Sequence, residues 1–156
     1  MERTLVMLKP DAVQRGFVGR ILARFEAKGL KIVALKLARV DRALAERQYA
    51  SHKGKDFYEP LIRFITSSPM VVMALEAKNI CAIARKMMGA TFGSDADSGT
   101  IRGDFALSNR FNLIHGSDNP RIADKEIKLF FAPGEIFSYE LTDLGWVYDF
   151  SEGGTV

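Results

Sequence analysis

At 156 residues with a net charge of +3, the chain is long enough to bury one sizeable core. Its basic residues are interspersed with acidic ones, which argues against the clustered Lys and Arg of a nucleic-acid-binding surface. A composition of 47% hydrophobic and 26% charged residues is that of an ordinary soluble protein, and no apolar run nears the roughly 18 residues a membrane span requires. Cys81 is the only cysteine, which excludes an intrachain disulfide and a multi-thiolate metal site. Met1-Glu2-Arg3-Thr4 opens no secretory signal pattern, so a reducing, cytoplasmic setting is expected. No repeat or linker is visible, and one domain over residues 1–156 is expected, with a loose tail from about residue 150.

Thr4-Leu5-Val6-Met7-Leu8 reads as a buried central strand, stopped at Lys9-Pro10 because proline cannot donate to a ladder. Val13, Phe17, Ile21, Leu22 and Phe25 then recur at helical spacing up to Gly29, a natural residue just past a helix end. Lys9 therefore stands where a strand gives way to a helix, either as a solvated lysine or as a functional cation. Leu30 to Val40 is rich in Ile, Val and Leu and predicts a second strand, after which Asp41 can cap a helix with Leu44 and Tyr49 on its apolar face. A short helix is expected over Phe57 to Ile65, ending at Ser67-Ser68-Pro69. On general grounds Tyr49 and Phe57 are core or rim aromatics more often than ligand contacts.

Met70 to Leu75 predicts a third buried strand, and Asn79 can cap a helix carrying Ile80, Ile83, Ala84 and Met87, closed by Gly89. Arg85 lies off that stripe, either on a solvated face or as an anion clamp. From Ala90 to Asp104 the periodicity disappears, and a structureless segment inside a compact domain is usually functional or disordered. Near its end, Arg102 sits between Ile101 and Gly103, where a loop can carry a guanidinium into a cleft; its fork matches phosphate oxygens.

Asn112-Leu113-Ile114-His115-Gly116-Ser117-Asp118 supplies the fourth strand and delivers a histidine to a turn. Asn119 can cap the following helix with Pro120 at its first position, and Ile122, Ala123, Ile127 and Phe130 form its inner stripe. Glu126 on that helix can turn back toward His115. The residues through Trp146-Val147-Tyr148 have no strong period and are expected to wrap over the surface or a neighbouring subunit. The order of strands and helices predicts a ferredoxin-like βαββαβ fold, α+β, with helices on one face of a four-stranded antiparallel sheet.

His115 is one of two histidines, and as a lone residue it reads either as a hydrogen-bonded core histidine or as a functional group. Metal ligation fails on ligand count, since His52 and Cys81 show no ligand spacing to it. Ser117 shares its side of a strand, but no Gly-x-Ser-x-Gly elbow exposes that serine. No Walker phosphate loop occurs either, so side chains such as Lys9, Arg85, Arg102 and Asn112 would have to hold any phosphates. A neutral imidazole among cations is a candidate phosphoryl acceptor near pH 7.

Several separated motifs, in order, give the chain a resemblance to nucleoside diphosphate kinases along nearly its whole length. They are Glu2-Arg3-Thr4-Leu5-Val6-Met7-Leu8-Lys9-Pro10-Asp11, Arg15-Gly16, Arg24-Phe25-Glu26, Ser68-Pro69-Met70-Val71, Gly99-Thr100-Ile101-Arg102-Gly103-Asp104-Phe105 and the His115 segment. The resemblance implies transfer of the terminal phosphate of a nucleoside triphosphate to a nucleoside diphosphate, in two steps through phosphohistidine, with low base and sugar specificity. It implies His115 as the nucleophile, Glu126 as the carboxylate that orients it, Ser117 as a nearby hydroxyl and Tyr49 beside the ring. It further implies Lys9 and Asn112 at the ribose hydroxyls, with Lys9 also reaching the phosphate, and Arg85, Thr91 and Arg102 at the phosphates. Phe57 and Leu61 would clamp the base. Mg²⁺ would arrive on the nucleotide, with Asp118 holding it through water. Two departures from the family pattern, Phe92-Gly93 after Thr91 and Ser98 before Gly99, fall in a loop used for subunit contacts there. A tail beyond Trp146 favours a hexamer over a tetramer. A nucleic-acid-binding module on a similar sheet is the alternative, disfavoured by the lack of an aromatic RNA-binding signature.

Overall fold

A computed structural model describes residues 1–151; the expected loose tail lies mostly outside them. The strands are β1 (Glu2–Leu8), β2 (Lys31–Ala38), β3 (Met70–Ala77) and β4 (Ile114–Gly116). They form one sheet in the order β2-β3-β1-β4, every neighbour antiparallel, as the ferredoxin-like expectation requires. The helices are α1 (Pro10–Gln14), α2 (Val18–Ala27), α3 (Arg42–Gln48), α4 (Tyr58–Ile65), α5 (Ile80–Met88), α6 (Ile101–Phe105), α7 (Pro120–Phe130) and α8 (Leu144–Val147).

Several local expectations change. Helices cover both faces of the sheet rather than one. Val6, Leu8, Met73 and Leu75 pack with Ile21 and Phe25 of α2 and Ile80 and Ala84 of α5, while Leu5, Met7, Val72 and Ala74 pack with α3 and α4. Burial on both sides explains why the central strands are unbroken apolar runs, which do not alternate. The helix expected from Val13 to Phe25 is two, because Gly16 turns the chain at φ +70 between α1 and α2. Asn79 does not cap α5 with its side chain; it takes a left-handed conformation itself. The aperiodic stretch holds a 3₁₀ turn at Gly93–Asp95 and the helix α6, which Thr100 caps by accepting from Gly103 N.

Asp41 and Asn119 do cap α3 and α7, accepting from Leu44 N at 2.8 Å and Ile122 N at 3.0 Å. The residues after α7 lie along the β2 edge. Phe137 N donates to Val33 O at 2.8 Å, beside the irregularity between Ile32 and Ala34, and Tyr139 Oη donates to Ile32 O. This fills part of an edge that would otherwise present unpaired backbone groups.

The strand bearing the histidine is shorter than the apolar run suggests. Asn112 and Leu113 lie outside it, and Leu113, fully buried, sits at φ +69. A non-glycine residue there stores about 1–3 kcal/mol and persists only where its surroundings hold it. Asp11 Oδ2 accepts from Leu113 N at 3.0 Å, and Lys9 N donates to Leu113 O at 2.8 Å. The kink turns Asn112 toward Lys9 while leaving His115 paired with Met7 of β1.

Candidate active site

His115 emerges on the sheet face covered by α3, α4 and α7, since paired residues of an antiparallel ladder share a face and its partner Met7 lies in that core. Its Nε2 is 3.1 Å from Oε1 and 3.2 Å from Oε2 of Glu126, one helix away on α7. Ser117 Oγ donates to Glu126 Oε2 at 2.5 Å, and Gln48 Nε2 donates to Oε1 at 2.5 Å. Burial works to raise the Glu126 pKa, but the hydrogen bond from His115 and its charge, with those of Ser117 and Gln48, outweigh it and hold the carboxyl below its ordinary value. By accepting from Nε2–H, Glu126 favours the tautomer whose lone pair is on Nδ1.

The Tyr49 ring stands edge-on to the imidazole at 6.2 Å between centroids, and its hydroxyl is buried without a partner among the described residues. Burial, then the Glu126 charge, pushes its pKa up, so it stays protonated. His115, Glu126, Gln48 and Tyr49 line a cavity of about 600 Å³ whose wall includes Arg47, Lys125 and Lys128, cations suited to an anionic ligand.

A second cluster lies on the other side of the Leu113 kink. Lys9 Nζ donates to Asn112 Oδ1 at 2.7 Å, and Asn112 Nδ2 donates to Thr91 O at 2.8 Å. Lys9 is buried, and that burial, then the charge of Arg102, brings its pKa down to about 8. The expectation of a loop-borne Arg102 is corrected. It projects from α6, is buried, and donates to the carbonyls of Asn112 (3.2 Å), Gly89 (3.0 Å) and Ile114 (2.7 Å). Its guanidinium thereby ties the end of α5 to both sides of the kink. Gly89 admits the close approach of Thr100, the residue that caps α6, because a Cβ there would collide with the Thr100 side chain. Burial, then nearby Arg85, lowers the Arg102 pKa to about 10.

Arg85 pairs with Asp118, Nη1 to Oδ1 at 2.5 Å, both largely exposed. The carboxylate expected near a hydrated metal is thus engaged by a cation. Among the described residues no group of three or more His, Cys, Asp or Glu gathers as a metal site. Phe57 and Leu61 stand apart from the cavity wall. Phe57 is 49% exposed and meets the site through His52, its ring edge-on at 5.3 Å, while His52 stacks on Tyr49. Leu61 packs against the α3–α4 core.

The sequence model of nucleoside diphosphate kinase matches residues 2–136, which spans every element of this arrangement from β1 through α7. The chain belongs to the nucleoside diphosphate kinase family. The enzyme is 54% identical over 147 residues to the nucleoside diphosphate kinase of Desulfitobacterium hafniense, covering 94% of this chain and 99% of the relative. It is 55% identical over 147 residues to that of Listeria monocytogenes, covering 94% and 100%. The fold matches a solved nucleoside diphosphate kinase from Halobacterium salinarum, in complex with CDP, with a TM-score of 0.93, 45% identity and coverage of 95% and 99%.

Sequence reasoning missed three residues of this phosphotransferase. Gln48 reaches Glu126, Asp11 holds the kink, and His52 bridges Tyr49 and Phe57. His52 had a visible signal as the second of two histidines; Gln48 and Asp11 had none beyond their places at a helix end and after Pro10.

Proposed function

We propose that this nucleoside diphosphate kinase works through a phosphohistidine formed on His115, with the nucleoside triphosphate entering as its Mg²⁺ complex. The observation that carries the reading is the Nε2 contact to both oxygens of an ionised Glu126, which leaves Nδ1 as the nucleophilic atom. The Nδ1 lone pair forms a bond to the γ-phosphorus while the bond to the β–γ bridging oxygen breaks, and the diphosphate leaves with that oxygen. An incoming diphosphate then attacks through a terminal β-oxygen, the P–N bond breaks and the lone pair returns to Nδ1. No proton is lost over the cycle, and Glu126 holds the Nε2 proton throughout.

Lys9, Arg85 and Arg102 supply positive charge, which is most of what phosphoryl transfer asks of a protein. Arg102 retains N–H groups beyond the three on carbonyls, whereas Arg85 reaches a phosphate only by sharing or leaving Asp118. Lys9 and Asn112, bonded to each other, form a polar pair for the sugar hydroxyls; Thr91 joins the phosphate set. Phe57, half exposed at the start of α4, offers its ring and Leu61 its side chain to the base, so base selection is weak. The CDP seated in the Halobacterium relative supports a diphosphate as second substrate. Mg²⁺ would arrive on the nucleotide and neutralise phosphate charge, and Asp118 would help hold it through water only on sharing or leaving Arg85. A homohexamer in the cytoplasm is the favoured assembly and setting.

Mg·ATP labelled at its γ-phosphate is expected to place one acid-labile phosphate on each chain, discharged by added diphosphate. His115→Ala should neither label nor turn over; labelling of that variant would place the acceptor elsewhere.

A further inference from the structure

α3 ends at Gln48, and the amide of that residue reaches the carboxylate behind His115. Glu126 therefore receives one neutral donor on each oxygen, Gln48 on Oε1 and Ser117 on Oε2, both at 2.5 Å. Between these two bonds, His115 Nε2 stands almost equally far from the two oxygens, at 3.1 and 3.2 Å. An N–H so placed lies near the bisector of the carboxylate, and it stays there only while neither oxygen is drawn aside more than the other. We infer that Gln48 is a positioning residue of the phosphoryl relay, one jaw of a clamp completed by Ser117, which fixes the plane of Glu126 and so the aim of the imidazole. This inference rests on His115 being the phosphoryl acceptor.

The orientation of the amide follows from charge. A carboxylate oxygen at 2.5 Å accepts an N–H and repels a carbonyl oxygen, so the NH₂ end of Gln48 must face Glu126. Its Oε1 is accordingly left buried without a partner among the described residues. The same nitrogen lies 3.3 Å from His115 Nε2, too close for two N–H groups to point at each other; both are directed to Glu126. Neither neighbour in the chain can substitute. Arg47 is exposed, and the Tyr49 hydroxyl bonds neither Glu126 nor any other described residue.

The test is single-turnover phosphorylation of the enzyme by Mg·ATP, alongside the Kd for Mg·ADP. Four proteins are compared: wild type, Gln48→Met, Ser117→Ala and the double variant. Met keeps the length of the side chain and removes the donor. Each single change is expected to slow phosphorylation about ten-fold while ADP affinity stays within about two-fold, the separation that marks a positioning role. The double variant is expected to fall about as far as either single one, since with one jaw open the carboxylate can already turn.

Gln48→Met labelling at the wild-type rate, affinity falling in step with rate, or a double variant falling by the product of the singles would each overturn the clamp. Gln48→Leu, measured in the same way, guards against a folding defect peculiar to Met. A wild-type enzyme that carries no phosphate on His115 would refute the relay itself, which keeps the two failures distinct.

Discussion

Lys9 is a buried cation placed at the end of a central strand, and the fold bears a cost for it that can be measured. Its pKa falls from 10.5 to about 8, burial being the main cause and the Arg102 charge the next. At about 1.36 kcal/mol per pH unit, the charged form is disfavoured in the folded state by about 3 kcal/mol. The sign is opposite to that of a lysine gaining a partner. Between pH 8 and 10.5 the unfolded chain holds the proton that the folded chain has released, so stability rises with pH across that window. Below pH 8 both states carry the charge and the cost is borne in full.

Lys9→Met removes the titrating group while keeping the apolar stem. The difference in urea-unfolding free energy, wild type minus Lys9→Met, should increase by about 3 kcal/mol between pH 7.5 and 10.5. Other lysines and tyrosines are common to both proteins and cancel in that difference. The absolute difference at pH 7.5 is a poorer test, because the variant also strands Asn112 Oδ1, which now accepts from Lys9 at 2.7 Å. A flat difference across this range would show that Lys9 is well solvated and refute the burial argument. If Lys9 serves the phosphates as proposed, the same lowered value predicts that kcat/KM falls as pH rises past about 8, where the free enzyme loses that cation.

Two further outcomes follow from the supports of the site. Asp11→Ala leaves the Leu113 N–H buried without its acceptor and releases the left-handed residue, so it should destabilise the fold by about 2 kcal/mol in urea unfolding; an unchanged midpoint would show that the kink holds itself. Glu126 contributes stability that is present above the ordinary carboxyl range and lost as pH falls through its lowered folded value, because the hydrogen bonds favour its ionised form. Glu126→Gln should therefore lessen the loss of stability on acidification; identical acid limbs for the two proteins would show that the carboxylate gains nothing from its partners.

The site was only partly legible before folding. Asn119 and Asp41 announced their helices because capping is local chemistry, complete within four residues. Glu126 was visible as a partner of His115 because it follows on the next helix, and a turn between them is short. Gln48 was not, since it lies 67 positions from His115 and owes its role to where α3 ends. Arg102 misled for a related reason. An aperiodic stretch punctuated by glycines suggested a loop, whereas a capped five-residue helix buries the guanidinium against three carbonyls.

The sequence by itself determined which segments must be buried and where the chain turns, because apolar runs and caps carry that information locally. It also carried enough of the family motifs to make His115 the candidate for phosphoryl transfer. Only the tertiary structure decided that both faces of the sheet are covered, that Leu113 is held left-handed by Asp11, and that Glu126 is gripped at both oxygens. Each of those depends on groups brought together from distant positions, where geometry at the scale of a hydrogen bond decides which donor meets which acceptor.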